Sequence, residues 1–228
     1  MSDSKITVIS EDRKELLLRY CRAAVNIYGM IPLSDFLKIY NSQNEPIEED
    51  TFLEFIDNID YSNEHFDIIG DDEVYEDVEH TPPMNRNLVA EYLYIFEDFD
   101  DYCELQEAQM GISYYVPKKE QFLKYEDEYY FEKTLEFISL RAFLRNQSNL
   151  SKERADLIAE EIQGVFYFDH GEFRDAIAEA DRLGFKANNP NEFEEFVKLV
   201  VELSKTVRTH KNCGHTLEEL YEWSYTIN

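Results

Sequence analysis

His65-Phe66-Asp67-Ile68-Ile69-Gly70-Asp71-Asp72-Glu73-Val74-Tyr75-Glu76-Asp77-Val78 interrupts a chain that otherwise reads as one helix after another. Two short runs with apolar and β-branched residues, His65–Ile69 and Glu73–Val78, flank Gly70-Asp71-Asp72. A Gly/Asp turn between such runs predicts a β-hairpin.

Upstream, Ser10 is placed to cap a helix on which Leu16, Leu17, Tyr20, Ala24, Ile27 and Tyr28 recur at helical spacing. Gly29 predicts a left-handed C-cap, and Pro32 prevents continuation. A second helix is predicted over Ser34–Asn41 and a third over Glu48–Ile59. Three short helices and then a hairpin is the order of a winged helix-turn-helix domain.

Downstream, Thr81-Pro82-Pro83 breaks the chain and predicts a domain boundary. Beyond it, a long helix is predicted over Asn87–Gln109, with Leu88, Tyr92, Ile95, Phe96, Phe99 and Tyr102 facing inward. An extended connector over Gly111–Pro117 follows, then helices near 118–126, 129–146, 151–167, 170–183, 190–209 and 216–224. Asn189-Pro190-Asn191-Glu192 sets an N-cap, a first-turn proline and a capping-box acid in register. On the helix after Pro190, Phe193, Phe196, Val197, Val200 and Val201 predict a core stripe. The predicted fold is mostly α, with a winged-helix-like domain of three helices plus a β-hairpin over 1–82. An all-helical domain covers 83–228.

The 228 residues include 16 Phe and 16 Tyr, enough rings for a sizeable core, with many tyrosine hydroxyls expected to reach solvent. The polar remainder is lopsided, 49 acids against 22 bases, for a net charge of -27. Between Ile39 and Tyr102 there are 20 acids and a single base, Arg86. Such a surface repels phosphate and anionic membranes and attracts basic proteins or peptides. The plainer reading is that the charge keeps the chain soluble. Cys21, Cys103 and Cys213 are odd in number and far apart, which fits a reducing compartment rather than a disulfide framework. No signal-peptide pattern follows Met1, and the longest uncharged stretch, Ala23–Ser34, is too short to span a bilayer. A cytoplasmic protein is expected.

The seven glycines are never closer than seven positions, which excludes a phosphate-binding loop, a dinucleotide fingerprint and a Gly-x-Ser-x-Gly elbow. With carboxylates everywhere, no pair stands out as acid and base. One cluster carries metal-ligand chemistry: His210, Cys213 and His215. A structural zinc site needs a fourth ligand, and the nearest candidates, His170 and Cys103, are remote in sequence. The competing reading is a helix end near Lys211, a turn at Gly214, and a last helix capped by Thr216 and Glu219.

The same stretch, Val207 to Leu220, resembles a segment of uncharacterised bacterial proteins that often carry a SecA C-terminal-type zinc motif. Arg208, Gly214, His215, Thr216, Glu219 and Leu220 match that segment. Val207, His210 and Leu217 depart from it, standing where the family has Thr, Trp and Pro. Tyr115-Val116-Pro117 and Phe122-Leu123-Lys124-Tyr125 are similar to the same proteins. The cysteine-rich zinc motif does not occur in these residues, and the resemblance implies no activity.

The reading these features favour is a non-enzymatic acidic interaction module with a basic, nucleic-acid-binding protein as partner. Asp50, Glu54, Asp57, Asp60, Asp71, Asp72, Glu76 and Asp77 would carry the binding, in the sharpest form as a mimic of DNA phosphates. No cofactor, membrane or direct nucleic-acid contact is expected. One alternative is a winged-helix DNA-binding regulator using Lys118, Lys119, Arg141, Arg145, Lys152 and Arg154. Another is a metal-dependent enzyme built on His210, Cys213 and His215. Self-association through the aromatic-rich Tyr125–Phe131 is compatible with each.

Overall fold

A computed structural model describes residues 9–95, 99–147, 149–167 and 173–226, the side chains of 223–226 excepted. The chain is mostly helical, with one small antiparallel sheet among the described residues. It divides into two compact units, Met1–Gly111 with Tyr115–Tyr130, and Ile112–Tyr114 with Phe131–Asn228.

The first unit opens with α1 (Glu11–Tyr28), whose acidic first turn suits the positive end of the helix dipole. Gly29 ends it at φ 71°, where a side chain would be strained, and its N–H reaches the Val25 carbonyl at 2.9 Å. Strand β1 (Met30–Pro32) leads into α2 (Leu33–Gln43) and α3 (Glu49–Asp57). These two helices are locked by Phe36 stacked on Phe52, ring centres 5.6 Å apart. Next come β2 (Phe66–Ile69) and a single helical turn, α4 (Asp71–Val74). β3 (Asn87–Ala90) then fills the middle of a β1-β3-β2 sheet. Leu88 pairs with Ile31 on one side and with Ile68 on the other.

Two expectations are corrected here. There is no hairpin around Gly70: β2 pairs with β3, and Glu73–Val78 is not a strand. Val74, Tyr75 and Val78 are only half-buried, so that run offers the sheet no fully buried face. Its acids instead stabilise a helical turn, with Glu73 accepting from the Gly70 N–H at 2.9 Å. Nor does a long helix run from Asn87. Asn87–Ala90 is buried along its whole length, as a central strand must be, and helix α5 is confined to Asp100–Gln109. Ile95, expected inside, is 60% exposed, and Phe96 lies outside the described residues. The central strand lies beyond the Thr81-Pro82-Pro83 break, and the first compact unit runs on to Gly111.

The remainder of the first unit wraps α1. α6 (Lys119–Phe122) and a 3-10 turn over Leu123–Glu126 lie on it, and Asn26 Nδ2 donates to the Tyr125 carbonyl at 2.8 Å. Tyr20, Tyr28 and Tyr102 are fully buried, and their hydroxyls find partners inside rather than in solvent. Tyr20 donates to Gln43 at 2.8 Å and Tyr28 to the Tyr115 carbonyl at 2.5 Å. Such internal partners are what make burying a phenol tolerable.

Among its described residues the regular elements of the second unit are all helices: α7 (Leu135–Arg145), α8 (Lys152–Tyr167), α9 (Phe173–Arg182), α10 (Pro190–Thr206) and α11 (Leu217–Thr226). Asn189 caps α10, accepting from the Glu192 N–H at 3.1 Å as its spacing predicts. The core gathers Phe137, Leu140, Ile158, Ile162, Phe185 and Phe196 with their neighbours. On α10 the buried stripe is Phe196, Val200 and Leu203; Phe193, expected to join it, is 46% exposed. Among the described residues no helix is long and apolar enough to cross a membrane.

Candidate interaction surface

On α3, Phe52, Phe55 and Ile56 turn inward, which forces Asp50, Glu54 and Asp57 onto the outer face at i, i+4 and i+7. All three are exposed, and none meets a cation within ion-pairing distance among the described residues. Glu76 and Asp77, after α4, are likewise exposed and, among the described residues, without an ion pair. Hydrogen bonding to the Ser62 side chain first, and to the Ser62 N–H at 3.1 Å second, holds the Asp60 carboxyl below the usual range. Asp72 is lowered chiefly by hydrogen bonding to Thr81, and His80 lies 4.0 Å from it.

Asp71 departs from the expected set. It is half-buried and accepts from Gln106 Nε2 at 2.9 Å and from the Tyr102 hydroxyl at 3.2 Å. That hydroxyl in turn accepts from Asn87 Nδ2 at 2.7 Å. Asp71 therefore links α4, β3 and α5, and it is the one acid of the eight that is committed to the interior.

The only base of the 39–102 stretch is also committed. Arg86 donates to Glu73 Oε1 and to the Ile68 carbonyl, each at 2.8 Å. Nothing cationic from that stretch is left to offset the α3 face.

Beside this face runs a groove of about 440 Å³ between the first two turns of α1 and the outer side of α3. Two other hollows have less to offer. One of about 280 Å³ contains Arg22, which is saturated by Glu64 at 2.7 Å and by Glu126 and Glu15 at 3.4 and 3.5 Å. One of about 640 Å³ in the second unit is lined by Ser139, Asn146, Asn189 and Glu195. Its Asn189 is engaged in capping α10, and no nucleophile there is paired with a base.

The family-like residues form a tight turn after α10. Arg208, with 10% of its side chain exposed, donates to both carboxylate oxygens of Glu219 at 2.8 and 3.1 Å. It also reaches the Gly214 carbonyl at 3.0 Å and Glu132 at 3.2 Å. Thr216 and Glu219 complete a capping box at 3.1 and 3.2 Å, as their spacing predicts, and the Leu220 N–H bonds the Thr216 carbonyl. Burial would raise the Glu219 carboxyl, but hydrogen bonds from His215 and Arg208 outweigh it and hold the group at about 2.

The candidate metal ligands are not brought together. His210 is 2% exposed, with its ring edge-on to Tyr167 at 5.0 Å. Cys213, at φ 50°, lies with its sulfur 3.6 Å from the Ile112 carbonyl, and His215 Nε2 bonds the Ser113 carbonyl at 3.0 Å. Cys103 sits on α5 in the other unit, and His170 lies outside the described residues. Among the described residues no group of three or more His, Cys, Asp or Glu is placed to hold a metal ion.

The candidate DNA-contacting bases are dispersed or engaged. Lys118 and Lys119 belong to the first unit, where Lys119 bonds Asn44 Oδ1 at 2.5 Å. In the second unit Arg145 holds Asp156 in a two-pronged pair, and Arg141 lies over the Phe137 ring at 5.6 Å. Lys152 and Arg154 open α8. Comparison with protein-family models, with curated proteins and with solved structures found no match.

Proposed function

We propose that the chain is a non-enzymatic interaction protein whose first unit is of winged-helix type and engages a basic protein partner. The order α1-β1-α2-α3-β2-α4-β3, with β3 between β1 and β2 in the sheet, supports the winged-helix reading. On that reading the 71–86 connection stands where a wing would be, and α3 where a groove-reading helix would be.

The observation that carries the functional reading is the outer face of α3. A DNA reader presents Arg, Lys, Asn or Gln there, whereas this helix presents Asp50, Glu54 and Asp57 without cationic partners. A duplex would meet unneutralised carboxylates, and a cationic protein would meet complementary charge. The Arg208–Glu219 turn supports a structural role for the family-like residues, and kinship with that bacterial family remains part of the same proposal.

The test is titration of the full chain with oligolysine and, separately, with duplex DNA, each at low and high salt. Oligolysine should bind with an affinity that falls steeply with salt. The triple change Asp50→Asn, Glu54→Gln and Asp57→Asn should weaken it about tenfold, at roughly 0.5 kcal/mol per exposed charge. Retention of duplex DNA at low salt, or oligolysine binding unmoved by the triple change, rejects the reading.

A further inference from the structure

We infer that the groove between α1 and α3 receives one amphipathic helix of the basic partner, a segment with an apolar stripe flanked by Lys and Arg. This deepens the preceding proposal and rests on it.

Each wall of the groove is one face of a helix. α1 contributes Glu11, Glu15 and Leu18, and α3 with its C-cap contributes Thr51, Glu54, Phe55 and Asn58. Both sets keep the i, i+3/i+4, i+7 spacing, so each wall is about two turns long, about 10 Å at 1.5 Å per residue. Walls of that kind offer ridges for another helix to mesh with, and no open strand edge for an extended peptide.

The floor is apolar. Ile9 and Phe55 are buried, while Leu18 and Ile59 remain half-exposed between the helices. A pair of half-covered aliphatic side chains at the bottom of a concave site is where an apolar anchor gains most.

The rim selects the flanking charge. Its four carboxylates are Glu11, Glu15, Glu54 and Asp60, against one lysine, Lys14. Lys14 already bonds Glu11 at 2.8 Å, and Glu15 meets Arg22 at 3.5 Å. Among the described residues Glu54 and Asp60 meet no cation. An apolar floor within a net anionic rim fits a helix with Leu or Ile at i, i+3/i+4, i+7 and Lys or Arg on either side. An acidic or neutral amphipathic helix would bury the same floor against repulsion or without attraction.

The experiment compares two peptides of identical composition, one with leucines in a helical stripe among lysines and one with the order scrambled. Both are titrated into the full chain and into the double variant Leu18→Ser, Ile59→Ser. Folding of the variant is checked by urea unfolding; both positions are half-exposed, so it should survive. The striped peptide should bind the wild-type chain about tenfold tighter than the scrambled one, and the double variant should erase that difference. In the wild-type chain, amide shifts on adding the striped peptide should concentrate in Glu11–Leu18 and Thr51–Ile59.

Equal binding of the two peptides overturns the groove and leaves the acidic-face reading standing. Failure of both to bind overturns the two readings together. Self-association without peptide that the double variant abolishes would give the groove to a second copy of the chain, and overturns the inference as well.

Discussion

Arg86 and Glu73 meet at 2.8 Å across the connection between β2 and β3, and the same guanidinium holds the Ile68 carbonyl. Arg86 thus ties α4 back to a strand of the sheet while Glu73 caps the Gly70 N–H. The lone base of an acidic stretch is a structural clasp, and its removal both loosens the fold and deepens the negative field.

Replacing Arg86 with alanine should therefore lower stability by about 1–2 kcal/mol, since one charge-assisted bond to a backbone carbonyl and one half-exposed pair are lost. The same variant should bind oligolysine more tightly than wild type. Urea unfolding and titration read the two effects, and a variant equally stable and no tighter in binding would contradict this account.

Asp57 lies at the C-terminal end of α3, where the helix dipole disfavours an anion, three residues from Glu54. Changing Asp57 to Asn should raise stability by about 0.5 kcal/mol while weakening cationic binding. A residue kept for partner recognition at some expense to stability behaves in this way. Loss of stability in thermal unfolding would show that Asp57 has an intramolecular role.

Arg208 is nearly buried with two carboxylates and a carbonyl on it, so a lysine cannot reproduce its fork. Arg208→Lys should lower stability by about 2–4 kcal/mol, because Glu132 and Glu219 lose much of their compensation. Chemical denaturation checks this, and a change below about 1 kcal/mol would mean that the turn holds itself through the capping box alone.

Glu219 titrates at about 2 in the folded chain against an ordinary value of 4.5. A depressed carboxylate contributes stability that is fully present above its unfolded value and is lost as pH falls through the folded one. Stability should accordingly fall between about pH 4.5 and about pH 2, and Glu219→Gln should flatten that part of the acid limb. Equal acid profiles for wild type and variant would show that other groups govern the limb.

Several helix ends were legible because they depend on local chemistry. Gly29 closes α1 with a backbone angle that disfavours other residues, and Asn189, Pro190 and Glu192 open α10 through contacts within four positions. The capping box of Thr216 and Glu219 is local in the same way. The sheet was not legible. Leu88-Val89-Ala90 fits a helix as well as a strand, and its partners, Met30–Pro32 and Phe66–Ile69, are far away in the chain. The error at Glu73–Val78 has the same origin: an apolar run near a Gly/Asp turn says nothing about whether a partner strand lies elsewhere.

The sequence by itself determined the sign and the placement of the charge, since 20 acids against one base must leave most carboxylates at the surface whatever the fold. Tertiary structure alone decided which of them are available. Packing of Phe52 and Ile56 sends Asp50, Glu54 and Asp57 outward, and closure of the sheet draws Asp71 onto Tyr102 and Gln106. The groove likewise exists only because Ile9–Leu18 and Thr51–Asp60, more than thirty residues apart in sequence, come to line one hollow. Periodicity defines a helix's faces, but only its neighbours in space determine which face stays open.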